Sequence, residues 1–197
     1  MIIDGQLERP SFRDQCPCCD RPECAEFHGY YRRGVVTAEG LRIADFPVLR
    51  YICRAPRLKP GQHRTFSLLP AQLIPYRRPS QDFLVAAMKT FLASRQTVAQ
   101  RLDMICEQFP EGSVCENIGT SHLWDFSRLL LETTQKMSLW KQRSFPELRQ
   151  AVDFIANYPG GAVTLSMDYY QAHGGWQGKS PFLFGTPSQF RSMVRPP

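Results

Sequence analysis

Long hydrophobic runs are missing from this chain of 197 residues: no stretch approaches the ~20 apolar residues that a membrane-spanning helix needs. Mean hydropathy is -0.33. The opening Met-Ile-Ile-Asp-Gly-Gln-Leu-Glu-Arg-Pro lacks the charged and apolar regions of a secretory signal. The expectation is a cytoplasmic protein with no membrane partner. An even cysteine count is also missing, and seven Cys without a secretory signal make a poor disulfide framework. What the chain does have is 43% hydrophobic residues, which excludes wholesale disorder.

Acidic residues are scarce where basic ones collect. Residues 28–79 hold ten Lys and Arg against Glu39 and Asp45, a net charge of +8. Residues 1–27 are net -3 and residues 80–197 net +1, so one segment carries the whole excess of +6. Nine of its ten cations are Arg, whose planar fork of donors grips phosphate where Lys offers a point charge. Such concentration points to a phosphate-backbone footprint, and hence to double-stranded DNA as a partner.

Four cysteines fall within nine residues: Cys16, Cys18, Cys19 and Cys24. A C-x-x-C turn aims two sulfurs to one side of a tight bend, as two corners of a tetrahedral Zn2+ site. Cys16 and Cys19 fit that role, with Cys18 directed away. Cys53 and His63, bracketing the loop 54–62, are the candidates for the other two corners. Cys24 is an alternative within the first set, and His28 an alternative to His63. Cys106 and Cys115 read as small buried apolar residues.

The order Cys16-Pro17-Cys18-Cys19, then His28-Gly29-Tyr30-Tyr31-Arg32-Arg33, Arg50-Tyr51-Ile52-Cys53 and His63-Arg64-Thr65-Phe66-Ser67 resembles the N-terminal zinc ribbon of bacterial insertion-sequence transposases. The continuation Leu68-Leu69-Pro70 and Pro75-Tyr76-Arg77-Arg78 is similar to a family of transposon-associated proteins that share this ribbon. The likeness covers about residues 14–79. It implies a metal-pinned ribbon, a role at mobile DNA, and a transposase or transposition ATPase as a protein partner. It departs from the family in its long second loop and in His63, which stands where Cys is usual.

The residues themselves agree on strands. Residues 29–36 and 41–53 are rich in aromatic and β-branched side chains, with a turn at Ala38-Glu39-Gly40. A ribbon this small has little core, so metal binding must supply much of its folding free energy. Arg32, Arg33, Arg50, Arg54, Arg57 and Arg64 would be displayed on it.

From Ser80, a plausible N-cap, the pattern turns helical: Phe83, Leu84, Ala87, Met88, Phe91 and Leu92 recur at helix spacing. A break at Ala93-Ser94 leads into a second helix, Gln96–Phe109. Such a pair fits a helix-turn-helix over 80–109, its recognition helix at 95–107 offering Gln96, Gln100 and Arg101 to bases or phosphates. Pro110–Ser113 reads as a linker. Further helices are expected from Thr120 or Ser121 to Trp140 and over Pro146–Asn157. An irregular aromatic tail follows over 158–197, folding back on the helices or docking on a partner.

The expected fold is therefore α+β: a zinc ribbon over 1–79, a helical domain over 80–157, and the tail. Nothing groups Asp125, Glu132, Asp153 and Asp168 into the paired carboxylates of a two-metal nuclease, and His122 and His173 are isolated. The expectation is a non-enzymatic DNA-binding accessory of a mobile element. The alternative is a zinc-stabilised module bridging a transposase or its ATPase, with Trp176 and Phe184 of the tail as docking residues.

Overall fold

The computed structural model describes residues 2–3, 6–7, 11–12, 15–56, 64–75, 77–173 and 182–184. Two short paired strands, β1 (Ile2–Ile3) and β2 (Gln6–Leu7), precede a three-stranded sheet of β3 (Ala25–Val36), β4 (Arg42–Cys53) and β5 (Thr65–Leu68). Five helices follow: α1 (Gln81–Ala93), α2 (Val98–Cys106), α3 (Thr120–Lys141), α4 (Leu148–Ala156) and α5 (Gly161–Ala172). The α+β class expected from the sequence is the class observed. The chain divides into two compact units, Met1–Arg33 with Asp45–Pro70, and Gly34–Ala44 with Ala71–Pro197. That division differs from a boundary at 79. The hairpin tip belongs to the helical unit, and so does the 71–79 segment.

In the first unit β4 is the central strand, paired on one side with β3 and on the other with β5. The β4–β5 register sets Tyr51 opposite Phe66 and Leu49 opposite Leu68. Period-two alternation then sorts the faces. Leu49, Tyr51 and Cys53 are buried while Arg50 is exposed, and on β3 Glu26, His28, Tyr30 and Arg32 form the outward row. The buried side holds an aromatic cluster. Tyr51 and Phe66 stack with centroids 5.4 Å apart, and Phe12 meets both edge-on at 4.9 and 5.0 Å. Such pairs contribute about 0.5–1.5 kcal/mol each beyond burial, which matters in so small a core.

In the second unit the hairpin tip is tied to its surroundings by backbone. Val36 N–H donates to Arg78 O at 2.8 Å, Ser80 N–H to Val36 O at 2.9 Å, and Val114 N–H to Gly40 O at 2.9 Å. Gly40 takes a φ of 78°, and a Cβ there would meet Phe83, Phe109 and Ser113 at 3.2 Å. Glycine suits the position both sterically and conformationally. Ser80 caps α1 as its sequence suggests, its Oγ accepting from Phe83 N–H at 3.2 Å. The capped helix packs against each of the other four. Phe83, Leu84, Ala87 and Met88 turn into a core completed by Ile105, Leu130, Met137, Val152, Ile155 and Leu165.

The tail departs from its sequence reading. Residues 161–172 are helical, because Ala162, Leu165 and Tyr169 recur at helix spacing and are buried. The Gly160-Gly161 pair, both at positive φ, forms the left-handed entry to that helix and disguises its start. Leu183 and Phe184 are each only 1% exposed, folded into the helical core. Lys136 Nζ donates to Phe182 O at 2.8 Å, and Thr133 Oγ1 to Leu183 O at 3.4 Å, fixing that segment to α3. Burial lowers the Lys136 pKa, against the opposing pull of Glu132. Phe184 is therefore a core residue and not an exposed docking residue; Trp176 lies outside the described residues. Phe184→Ala should destabilise the helical unit by about 3–5 kcal/mol, measured as the denaturant midpoint of its far-ultraviolet helical signal.

Candidate metal centre

Three turns of backbone bring distant thiols together. Pro17 fixes the first bend, and Asp20 N–H and Cys19 N–H both donate to Cys16 O, at 2.8 and 3.3 Å. Cys18 N–H points at Cys16 Sγ from 3.4 Å. Asp20 and Glu23 take φ of 61° and 55°, left-handed positions that fold the loop back on itself. That return delivers Cys24 to the start of β3. Arg54 N–H then donates to Cys24 O at 2.6 Å, and Cys53 N–H to Arg64 O at 2.6 Å, so the loop is stapled to the end of β4.

The result is a cluster of Cys16, Cys19, Cys24 and Cys53 whose sulfurs all lie within 4.8 Å of one another. Cys19 Sγ is 3.1 Å from Cys24 Sγ, and Cys53 Sγ is 3.6 and 3.9 Å from Cys19 and Cys24. A tetrahedron of thiolates at a metal–sulfur distance of ~2.3 Å has edges of ~3.8 Å, so these separations suit a single ion with little rearrangement. Cys16 and Cys53 are fully buried against Tyr51 and Phe66, and the cluster is continuous with the aromatic core. Four such sulfurs can hold a metal ion.

The thiols are unequal in acidity. Burial raises the pKa of Cys24 and Cys53. Burial also acts on Cys19, but hydrogen bonds from Cys24 and the Arg21 backbone outweigh it and hold Cys19 below the usual thiol value. Cys18 is pushed up to about 12, first by burial and then by the neighbouring Cys16 and Cys53 charges. An ion must displace protons to bind here, and Cys18 keeps its own.

The predicted ligands Cys16, Cys19 and Cys53 thus meet, and the thiol that joins them is Cys24. His63 lies outside the described residues, as does Arg57. His28 stands on the exposed row of β3, away from the buried thiols. Hairpin arithmetic carries the signal for Cys24: it and Cys53 are nearly equidistant from Glu39 at the turn, so a continuous hairpin sets them side by side.

Of the arginines proposed to hold nucleic acid, Arg32 is exposed on β3 and Arg33 is half-buried. Arg50 is exposed and reaches Thr65 Oγ1 at 3.2 Å. Arg54 makes an ion pair with Glu26 at 3.0 Å between two well-exposed side chains, worth at most about 1 kcal/mol and easily exchanged. Arg64 Nη1 donates to Ala55 O at 2.9 Å.

The α2 residues have local partners. Thr97 and Gln100 form a reciprocal capping box: Gln100 Oε1 accepts from Thr97 N–H at 3.1 Å, and Thr97 Oγ1 accepts from Gln100 N–H at 3.4 Å. Arg101 Nε donates to Gln96 O at 2.8 Å and its guanidinium lies 5.1 Å from the Phe91 ring. Gln96 is exposed. His122, on α3, accepts through Nδ1 from Gly119 N–H at 3.2 Å and so serves the start of that helix. No helix among the described residues is long and apolar enough to cross a membrane. No protein-family model, no curated protein and no solved structure matches the chain.

This geometry sets two expected outcomes. Cys24→Ser should lose bound metal under a competing chelator while Cys18→Ser retains it, as read by elemental analysis after dialysis. Thr97→Ala should cost about 0.5–2 kcal/mol of stability by removing the N-cap of α2, which thermal unfolding would register.

Proposed function

We propose that the protein is a zinc-dependent DNA-binding accessory or regulatory factor of a bacterial mobile element, with no catalytic activity of its own. The ion is assigned by chemistry: four soft sulfur ligands within 4.8 Å of one another favour Zn2+, which closes a structural site without redox activity. Zinc at these sulfurs would hold the knuckle loop against β4 and keep the sheet in one conformation.

The observation that carries the reading is the placement of Arg on that sheet. Arg32 on β3 and Arg50 on β4 are exposed, and both belong to the segment with the +8 excess. Exposed guanidinium groups on a rigid sheet can contact phosphates without ordering a flexible segment. Arg54 can join them by leaving its exposed ion pair. In this reading the sheet, rather than α2, faces the DNA, since the Arg excess lies in the sheet segment and the Gln100 amide oxygen is committed to the α2 capping box. The mobile-element setting rests on the resemblance of residues 14–79 to transposon-associated ribbons, which also makes a transposase or transposition ATPase the expected protein partner. The interaction-module alternative loses Phe184 as a docking residue, because that ring is buried.

Binding to duplex DNA should weaken steeply with salt. Arg32→Ala with Arg50→Ala should lower the slope of log K against log salt by about 0.9 for each phosphate no longer neutralised, at unchanged zinc content. Fluorescence anisotropy across a salt series measures this. A slope that is near zero in the wild type, or unchanged in the double variant, would remove the sheet as the DNA-binding surface.

A further inference from the structure

The outward face of α3 is not uniformly polar. The helix buries Leu123, Phe126, Leu130 and Met137, yet Trp124, Leu131 and Leu139 are 75%, 52% and 83% exposed. Their spacing of seven and eight residues places them within an arc of about 80° at 3.6 residues per turn, so they form one stripe. Arg128 and Gln135, both exposed, fill the intervals along it. Steps of three and four residues are the seam spacing of paired helices.

That seam has a symmetry of its own. Trp124 and Leu139 are equidistant from the midpoint between Leu131 and Glu132, and so are Arg128 and Gln135. A stripe ordered large-apolar, polar, apolar, polar, large-apolar about its centre is self-complementary under a two-fold axis, the usual symmetry of a homodimer. We propose that α3 is a homodimerisation surface, pairing antiparallel with α3 of a second copy of this chain across an axis at Leu131 and Glu132.

In that arrangement Trp124 covers Leu139 of the second copy, and Arg128 lies opposite Gln135. Leu131 packs beside its own counterpart. Two Arg128 and two Glu132 side chains gather around the axis, equal in number and opposite in charge, so the centre carries no excess of one sign. A 22-residue helix is about 33 Å long, enough to present the whole seam. The three apolar side chains would remove roughly 400 Å² per copy from water, and the polar flanks bring the pair to the lower end of specific interfaces, about 1,200 Å² in total. A reversible dimer with a dissociation constant on the order of micromolar is the expectation. The inference uses neither the metal nor DNA, and stands apart from the proposed function.

Sedimentation velocity on the full chain, over a concentration series, tests it. The wild type should pass from monomer to dimer. Leu131→Asp and Leu131→Lys should each weaken association at least about tenfold, with helicity and thermal midpoint retained because the side chain is half exposed. Mixed in equal amounts, the two variants should dimerise again, since position 131 faces itself only across a two-fold axis. Arg128→Glu, which places four carboxylates around the axis, should also give monomers. A wild type that stays monomeric throughout would overturn the proposal. So would dimers that persist in both Leu131 variants, or a mixture that fails to associate.

Discussion

The first unit depends on the meeting of four sulfurs. Its hydrophobic core is one small aromatic cluster, and the loop that carries three of the thiols has no regular secondary structure to hold it. What fastens that loop is the approach of Cys16, Cys19 and Cys24 to Cys53, backed by the hydrogen bond from Arg54 N–H to Cys24 O. Burial raises the pKa of Cys24, while hydrogen bonds hold that of Cys19 down. A cation at this cluster would draw all four sulfurs toward one point. Ordering of the loop and burial of Tyr51 and Phe66 are thereby one event, because Cys53 belongs to both the cluster and the core.

Surface charge on the same unit is less simple than its sum. Arg64 commits a donor to a backbone carbonyl, Arg50 to a hydroxyl, and Arg54 to an exposed carboxylate. Each contact orients its guanidinium without neutralising it, except at Arg54. Pre-oriented cations lose less entropy on meeting a phosphate than free ones do, so an internal hydrogen bond and an external ligand are compatible uses of one side chain.

Much of this was legible in the sequence, where a local rule had no competitor. Ser80 before an apolar helical repeat marked the start of α1, and two knuckle cysteines at one turn marked half the metal cluster. Cys24 was harder, because ligand spacing offers it only as a substitute within the first pair; the length of the hairpin is what sets it beside Cys53. The helix at 161–172 was hidden by its two glycines, whose low helix propensity masks a repeat of just three buried residues. Burial of Phe184 could not be read at all, since the long-range hydrogen bonds that hold its segment, from Lys136 to Phe182 O and from Thr133 to Leu183 O, have no periodic signature. Gln100 shows the converse: a polar residue at a helix start looks available until the capping box that uses it is seen.

The hairpin tip has a consequence for how this chain can be divided. Gly34–Ala44 is part of the helical unit, although the strands on either side of it belong to the first. The helical unit is therefore discontinuous in sequence, with the cysteine-cluster segments lying before, and then again after, its first piece. No single backbone cut separates the two units. A break after residue 79 leaves Ser80 N–H without the Val36 carbonyl and Val114 N–H without that of Gly40. Excising the cysteine-cluster unit whole would instead require rejoining residue 33 to residue 45, so shuffling of these modules by recombination would have to respect an insertion rather than a simple fusion.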